Sequence, residues 1–178
     1  MSDDKLRFPV GKYDNTQRIE MDQIDELIEI IDDFPETLTD LVIDLDEEDL
    51  ECTYREEGWT VRQVITHCAD SHMNAFMRFK LALTEDNPTI KPYSQNGWAS
   101  LPDADEAPVD LSLLMLEGVH GRWVWLMDSM DEEDWNKTYY HPEQDKTFRL
   151  IDVLGLYAWH CRHHLEHVRI AIEKGSTK

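Results

Sequence analysis

The sequence predicts an all-α protein folded as a four-helix bundle. Apolar residues recur at helical spacing over four long segments of the chain. An irregular connection with four prolines separates the second segment from the third, and a short run of strand-forming residues precedes the fourth. Four long amphipathic helices, one long crossover loop and a small hairpin or loop before the last helix together indicate such a bundle.

The ends of the four helices are marked in the sequence. The first spans about 18–45, and Pro35 is expected to break or kink it. The second begins after Thr60, a residue type that caps helix N-termini, and runs to about residue 84. The third covers about 110–130, and the last runs from about 149 to 174 and stops at Gly175.

The connecting segments predict less regular structure. Residues 6–14 look extended and are expected to pack as a strap across other elements. The acidic run 44–51 is expected to be a solvated linker. Residues 85–108 form a connection of the length that lids and binding segments have, and residues 137–148 predict a small hairpin or loop.

Composition limits the class of protein. A chain of 178 residues predicts one domain, residues 1–178, with a core that needs no disulfides. Three unpatterned cysteines, no signal-peptide layout and no apolar run near the roughly 20 residues of a membrane span favour a cytoplasmic protein. The net charge of −21 repels phosphate backbones and anionic headgroups. We therefore expect binding to neither nucleic acid nor membrane, and a homodimer is compatible with these features.

The most informative motif lies in the last predicted helix. His160 and His164 are spaced so that both imidazoles lie on one helix face, one turn apart, which is a spacing of metal ligands. The charged residues of this helix define the opposite face, so the pair is expected to point inward. The competing pair His163 and His167 is aimed less directly at the core. Cys161 stands where a zinc protease motif requires glutamate, which excludes that class.

A polar stripe on the second predicted helix supplies a third candidate ligand. His67, Ser71, Asn74 and Arg78 follow one another at helical spacing, opposite the face that carries Arg62 and Lys80. A dry, unpaired polar stripe in the inward half of a bundle helix would cost several kcal/mol, so this stripe predicts a wet cavity or a site. The competing interpretation is that His67 is a satisfied core histidine and that the stripe faces solvent.

The remaining histidines and cysteines permit fewer assignments. His120 lies on the apolar face of the third helix, either as an acid, base or substrate contact or as a core histidine that donates to a carbonyl. Glu117 with His120 forms a single E-x-x-H element, and the lack of a second one argues against a dimetal carboxylate site. His72 and His141 are expected only to pack or to lie on the surface. Cys68 and Cys161 are expected to be small buried hydrophobes.

At these residues the chain resembles the DinB/YfiT-like metalloprotein family, and within it the YfiT subgroup. The resemblance lies in residues 6–14 (LRFPVGKYD), 58–85 (GWTVRQVITHCADSHMNAFMRFKLALTE), 90–93 (IKPY), 120–127 (HGRWVWLM), 141–143 (HPE) and 157–167 (YAWHCRHHLEH). It implies a four-helix bundle in which one histidine of the second helix and two of the last bind a divalent metal. By position these are His67, His160 and His164.

The resemblance also implies an activity, since this subgroup is described as metal-dependent hydrolases and bacillithiol transferases. We expect one divalent metal, zinc by default with nickel or iron as alternatives, and a low-molecular-weight thiol as co-substrate. The expected reaction is transfer of that thiol to a small electrophile, with His120 as the candidate catalytic residue and Ser71, Asn74 and Arg78 as substrate-binding residues. The alternatives are hydrolysis by metal-bound hydroxide and a non-catalytic bundle with a structural metal.

Overall fold

The structure is a computed structural model that describes residues 3–16 and 18–175. Its elements in chain order are α1 (Asp3–Arg7), a 3-10 turn (Met21–Gln23), α2 (Ile24–Val42), α3 (Glu47–Leu50), α4 (Val61–Thr84), α5 (Gln95–Ala99), α6 (Pro102–Asp105), α7 (Val109–Asp128), α8 (Glu132–Trp135), β1 (Thr138–His141), β2 (Lys146–Arg149) and α9 (Leu150–Gly175). The predicted domain 1–178 includes residues 1, 2, 17 and 176–178, which lie outside this description, and the number of domains stays a prediction.

The four long helices form the predicted bundle. Helix α4 packs against α7 and α9, and α2 packs against the same two helices, so α2 lies diagonally opposite α4. The connections from α2 to α4 and from α7 to α9 therefore join diagonal helices, whereas the long connection 85–108 joins neighbours. The predicted hairpin is present, with β1 and β2 paired antiparallel from Thr138 opposite Arg149 to His141 opposite Lys146. Within the described ranges, no helix is long and apolar enough to cross a membrane.

Local chemistry explains where α4 begins. Thr60 is its N-cap: the threonine hydroxyl accepts the backbone N–H of Gln63, and the Gln63 side chain accepts the backbone N–H of Thr60. This reciprocal capping box satisfies two donors that the first helical turn would otherwise leave unpaired. The prediction that α4 begins after Thr60 is confirmed, and the cap fixes the register of His67, about two turns further on.

Helix α2 corrects the prediction of a break at Pro35. The helix continues without interruption from Ile24 to Val42, and Pro35 is buried within it. Phe34 and Leu38 next to the proline are each 1 % exposed, so their burial in the core holds the helix together through the position where one backbone hydrogen bond is missing. The carbonyl that Pro35 cannot satisfy finds another donor, described below.

The acidic segment 44–51 is not simply a solvated linker. It contains α3, and two of its carboxylates, those of Glu47 and Glu51, form ion pairs with Arg62. The guanidinium of Arg62 also donates to the carbonyl of Ala107, 2.9 Å away. The sequence predicts Arg62 on the face of its helix opposite the polar stripe. This face is not exposed: Arg62 is only 4 % exposed, because α3 and the connection before α7 cover it.

The N-terminal segment is a strap that begins as a short helix, α1, and continues extended to Asp14. It is tied to α9 at two points: the indole Nε1 of Trp159 donates to the carbonyl of Gly11 at 3.1 Å, and the hydroxyl of Tyr13 donates to the carbonyl of Asp152 at 3.3 Å. Gly11 has a φ of 86°, a backbone conformation that residues other than glycine rarely adopt. The strap therefore covers one face of the helix that carries four of the eight histidines.

Candidate metal centre

Three histidines from two neighbouring helices converge inside the bundle. His67 comes from α4, and His160 and His164 come from α9, and one ring nitrogen of each lies within 4.8 Å of the others. The Nε2 atoms of His67 and His160 are 3.3 Å apart. Two imidazole nitrogens at the usual zinc distances of about 2.0–2.1 Å from a tetrahedral ion would lie about 3.3–3.4 Å apart. The spacing of these two atoms therefore fits a shared divalent ion.

The protonation of the three rings also suits a metal. Burial lowers the pKa of His67 to about 4, and it lowers the pKa of His160 and of His164 well below the usual range for histidine. All three imidazoles are therefore neutral at pH 7, and each neutral ring keeps one nitrogen lone pair for a ligand. A positively charged cluster would repel a cation, whereas this one offers three neutral nitrogen donors of the kind that zinc, nickel and iron bind.

A second histidine group overlaps the first. His163, His164 and His167 also bring one ring nitrogen each within 4.8 Å of one another. His164 belongs to both groups, and its one lone pair can bind only one ion. The two groups therefore cannot each use His164 for an ion at the same time. The pair His163 and His167, which helical geometry aims less directly at the core, is nonetheless buried, at 7 % and 3 % exposed.

The strap and the loop before α4 explain this burial. The ring of Phe8 stacks on His163 with centroids 6.2 Å apart, and Tyr54 stacks on His167 at 3.9 Å. Helical arithmetic on α9 alone could not include these covering segments, because it assumes that only the other bundle helices shield a helix face. The sequence favours the group of His67, His160 and His164, and this choice stays a prediction.

The histidines border a cavity of about 340 Å³. Five histidines, four aromatic residues, two arginines and one glutamine line it: His67, His160, His163, His164, His167, Phe8, Tyr54, Trp59, Trp159, Arg7, Arg55 and Gln95. Gln95 belongs to the long connection 85–108, so this connection does reach the site. Neither Arg7 nor Arg55 forms an ion pair with a carboxylate within the described part of the chain, and the Nε of Arg55 is buried without a hydrogen-bond partner.

The predicted substrate-binding stripe lies elsewhere on α4. Ser71 and Asn74 are buried, Arg78 is half-buried, and none of them lines this cavity. The hydroxyl of Ser71 is 3.3 Å from that of Tyr157, whose ring lies 5.5 Å from the ring of His160. The amide of Asn74 donates to the backbone carbonyl of Asp70. Tyr157 thus lies next to both Ser71 and His160, and a role of Ser71, Asn74 and Arg78 in substrate binding stays a prediction.

Arg78 is surrounded by phenols rather than carboxylates. It hydrogen-bonds Tyr139, and its charge also acts on Tyr93 and Tyr157. Burial raises the pKa of Tyr93 to about 12, so this phenol stays protonated at neutral pH and does not neutralise the guanidinium. Within the described ranges Arg78 has no ion-pair partner, which leaves its charge available to an anion.

His120 and His72 are connected to the candidate ligand His160 by hydrogen bonds. His120 is 1 % exposed and its Nδ1 lies 2.6 Å from the carbonyl oxygen of Ile31, so it is a core histidine that donates to a carbonyl. His72, expected only to pack or to lie on the surface, is fully buried and lies between His120 and His160, 2.6 Å and 2.9 Å from their ring nitrogens. Sequence reasoning missed His72 because its two partners come from other helices.

The cysteines are unsuited to supply a nucleophile. Cys68 and Cys161 are buried, as expected, and burial raises the pKa of both thiols far above their usual range. Cys52 is half-buried and does not line the histidine cavity. A thiol that reacts at this site would therefore have to come from a bound small molecule.

A helical bundle with buried, neutral histidines around a cavity defines a candidate metal-binding protein. A profile of the DinB superfamily matches residues 30–168, and the chain belongs to that superfamily. Two similar relatives, from Bacillus cereus strain 03BB102 and Bacillus thuringiensis subsp. konkukian strain 97-27, are each 52 % identical over 163 residues, covering 92 % of this chain and 93 % of the relative. Both are named "Putative metal-dependent hydrolase".

Solved structures agree on the fold. YfiT from Bacillus subtilis, described as a probable metal-dependent hydrolase with an unusual four-helix bundle topology, matches with a TM-score of 0.91 and 38 % identity, over 96 % of this chain and 98 % of that one. A mycothiol-dependent maleylpyruvate isomerase matches with a TM-score of 0.66 and 16 % identity, over 82 % of this chain and 60 % of that one. The second likeness shows the fold alone. The predicted bundle and the family are thereby confirmed.

Proposed function

We propose that this protein is an enzyme that holds one divalent metal with His67, His160 and His164 and transfers a low-molecular-weight thiol to a small electrophile. The observation that carries the proposal is the convergence of three neutral imidazoles on a cavity that Arg7 and Arg55 also line, two arginines that pair with no carboxylate of the described residues. When bound, a divalent metal supplies Lewis-acid chemistry that lowers the pKa of a thiol or a water molecule sharing the site.

The protein's own residues would position the thiol. Low-molecular-weight cytosolic thiols such as bacillithiol carry carboxylates, and a guanidinium binds a carboxylate through two parallel hydrogen bonds. Arg7 and Arg55 line the cavity, and neither pairs with a carboxylate of residues 3–16 or 18–175. In a chain with a net charge of −21, such arginines beside a site favour an anionic ligand. The indoles of Trp59 and Trp159 also line the cavity.

The reaction forms one bond and breaks one. The thiol sulfur forms a bond to carbon of the electrophile, the bond from that carbon to its leaving group breaks, and the leaving group departs with the electron pair. The thiol proton passes to solvent or to a buffer base. Ser71, Asn74 and Arg78 are proposed to bind the substrate, with Arg78 pairing with a carboxylate, because this guanidinium has phenols but no acid beside it.

Hydrolysis is the second candidate function. The observation that favours it is the name shared by relatives that are 52 % identical over 92 % of the chain. The same cavity and ligands serve either reaction, because a water molecule and a thiol would use the same open side of a three-histidine site. The two candidates differ in whether turnover requires an added thiol.

A paired assay separates the two candidates. Metal-loaded protein is incubated with a chromogenic haloarene, with and without bacillithiol or cysteine, and in parallel with a chromogenic ester. Thiol transfer predicts a metal-dependent rate only with thiol present, and the rate should be lost in His164→Ala. Turnover of the ester without any thiol, and none of the haloarene, would assign hydrolysis instead. Silence in both assays would leave a non-catalytic metal-binding bundle.

The role of the arginines has its own control. Arg55→Gln is expected to raise the KM for a carboxylate-bearing thiol about 10-fold, since a charged hydrogen bond is worth about 1.5–3 kcal/mol. The KM for 2-mercaptoethanol, which has no carboxylate, should not change. Arg169→Gln is the matched control, because Arg169 is half-exposed on α9 and pairs with Glu166. An equal rise in KM for both thiols would contradict carboxylate binding by Arg55.

A further inference from the structure

A proline in α2 leaves one buried carbonyl without its helical partner. In an α-helix the carbonyl of Ile31 would accept the N–H of residue 35, but that residue is proline and has no N–H. The freed oxygen lies 2.6 Å from Nδ1 of His120, on a different helix. Since a carbonyl can only accept, the nitrogen that faces it carries the proton.

This one assignment fixes two further rings. A neutral imidazole with its proton on Nδ1 has an acceptor at Nε2, and Nε2 of His120 lies 2.6 Å from Nδ1 of His72. His72 therefore donates from Nδ1 and has its own acceptor at Nε2. That acceptor lies 2.9 Å from Nδ1 of His160, which must then carry a proton as well. The lone pair of His160 is left at Nε2, the atom that faces His67 at 3.3 Å.

The surroundings keep these rings in place and neutral. His72 and His120 are 0 % and 1 % exposed, and the ring of Phe34 packs against both, with centroids 5.2 Å and 5.6 Å away. Each short contact between two ring nitrogens holds a single proton, so each ring has one donor and one acceptor and is neutral. The chain of hydrogen bonds runs in one direction, from His160 towards the carbonyl.

We propose that His72 and His120 are positioning residues that hold His160 in the tautomer protonated at Nδ1 and so present its Nε2 to the metal. Because Pro35 leaves the carbonyl of Ile31 free, this carbonyl sets the direction of the hydrogen bonds. The inference rests on the proposed role of His160 as a metal ligand. Ring nitrogens opposite a metal-bound nitrogen usually donate to a carboxylate, a carbonyl or water, and loss of that partner typically costs 10-fold to 100-fold in metal affinity. Here two further imidazoles connect His160 to a carbonyl.

The test compares two substitutions at His72. Glutamine can accept from Nδ1 of His160 through its side-chain oxygen, whereas methionine fills similar space and offers no comparable acceptor. We expect His72→Met to bind zinc 10-fold to 100-fold more weakly in competition with a chromophoric chelator, and His72→Gln to recover most of that loss. Thermal unfolding of the metal-free proteins is the control that checks that both variants fold.

Pro35→Ala tests the carbonyl anchor from a distance. Alanine restores an N–H that competes for the carbonyl of Ile31, while its higher helix propensity favours α2 by up to about 3 kcal/mol. We expect a variant that unfolds at the same or a higher temperature and binds zinc several-fold more weakly. A purely structural role for the proline would leave zinc affinity unchanged, and that result would overturn the assignment of the carbonyl.

Nitrogen NMR of histidine-labelled protein reads the tautomer directly. In the metal-free wild type, His160 should be protonated at Nδ1, and protonation at Nε2 would overturn the proposal. His160→Ala separates this inference from the proposed function. If His160→Ala loses zinc while His72→Met binds it as the wild type does, only the positioning role fails. If His160→Ala binds zinc like the wild type, the ligand assignment and the positioning role both fail.

Discussion

The indole of Trp59 lies against the imidazole of His67, with ring centroids 4.7 Å apart and planes inclined by 47°. Trp59 immediately precedes the N-cap of α4, so the capping box that begins the helix also places this indole over the candidate ligand. One side of the candidate metal centre is thus closed by a residue outside the four bundle helices.

This proximity predicts a fluorescence signal for metal binding. Cobalt or nickel at His67, His160 and His164 should quench intrinsic tryptophan fluorescence, because these ions quench over short distances. Trp59→Phe should remove a large part of the quench, and Trp125→Phe should remove none, since Trp125 is 82 % exposed on α7 and does not line the cavity. A quench that is equally large in Trp59→Phe and the wild type would place the metal elsewhere.

The overlap at His164 makes the two histidine groups distinguishable by substitution. We expect His67→Ala and His160→Ala each to lose bound metal in elemental analysis, because both remove a nitrogen donor of the proposed set. The double variant His163→Ala with His167→Ala should keep about one ion per chain. The opposite pattern, metal lost from the double variant and kept in the two single ones, would assign the second group.

The sequence was sufficient for the bundle and for the candidate ligands. Amphipathic periodicity and caps reflect interactions within one helix, which is why the boundaries of α4 and α9 were predicted to within one residue. The burial of Arg62 and the hydrogen bonds of His72 were not predictable in the same way. Both depend on groups from segments distant in the chain. The periodicity of one helix does not indicate which carbonyl or carboxylate of another segment will contact that helix.

Two glycines offer opposite predictions for stability. A Cβ at Gly58 would lie 2.8 Å from Cγ of Arg55 and 3.0 Å from the Arg55 carbonyl oxygen, so Gly58→Ala should destabilise the protein by about 1–3 kcal/mol and displace Arg55 from the cavity. Gly118 lies within α7 with open space where a Cβ would stand, and Gly118→Ala should stabilise by about 0.5–1 kcal/mol. Urea unfolding measures both, and a neutral Gly58→Ala would show that the loop adjusts freely.

Replacement of Asp70 by asparagine is expected to stabilise the protein by an amount that depends on pH. Burial, and next the charge of Asp103, raise the pKa of Asp70 from 3.8 to about 6. The folded state therefore binds this proton more tightly than the unfolded state, so the destabilisation by Asp70 develops as the pH rises from about 4 to about 6 and is complete above that range. Asp70→Asn should gain about 1 kcal/mol at pH 8, after allowance for solvent screening, and almost nothing at pH 4. An equal gain at both pH values would point to a cause other than ionisation.

The order of the helices along the chain has a consequence for biosynthesis. His67 and His160 are 93 positions apart, and α9, which carries His160, follows all the other described elements. While the ribosome is still making α7, the nascent chain holds His67 but neither His160 nor His164, because α9 is made after α7. An ion that needs nitrogens from both helices can be captured only after translation has passed α9, so a chain that stops early would carry no metal.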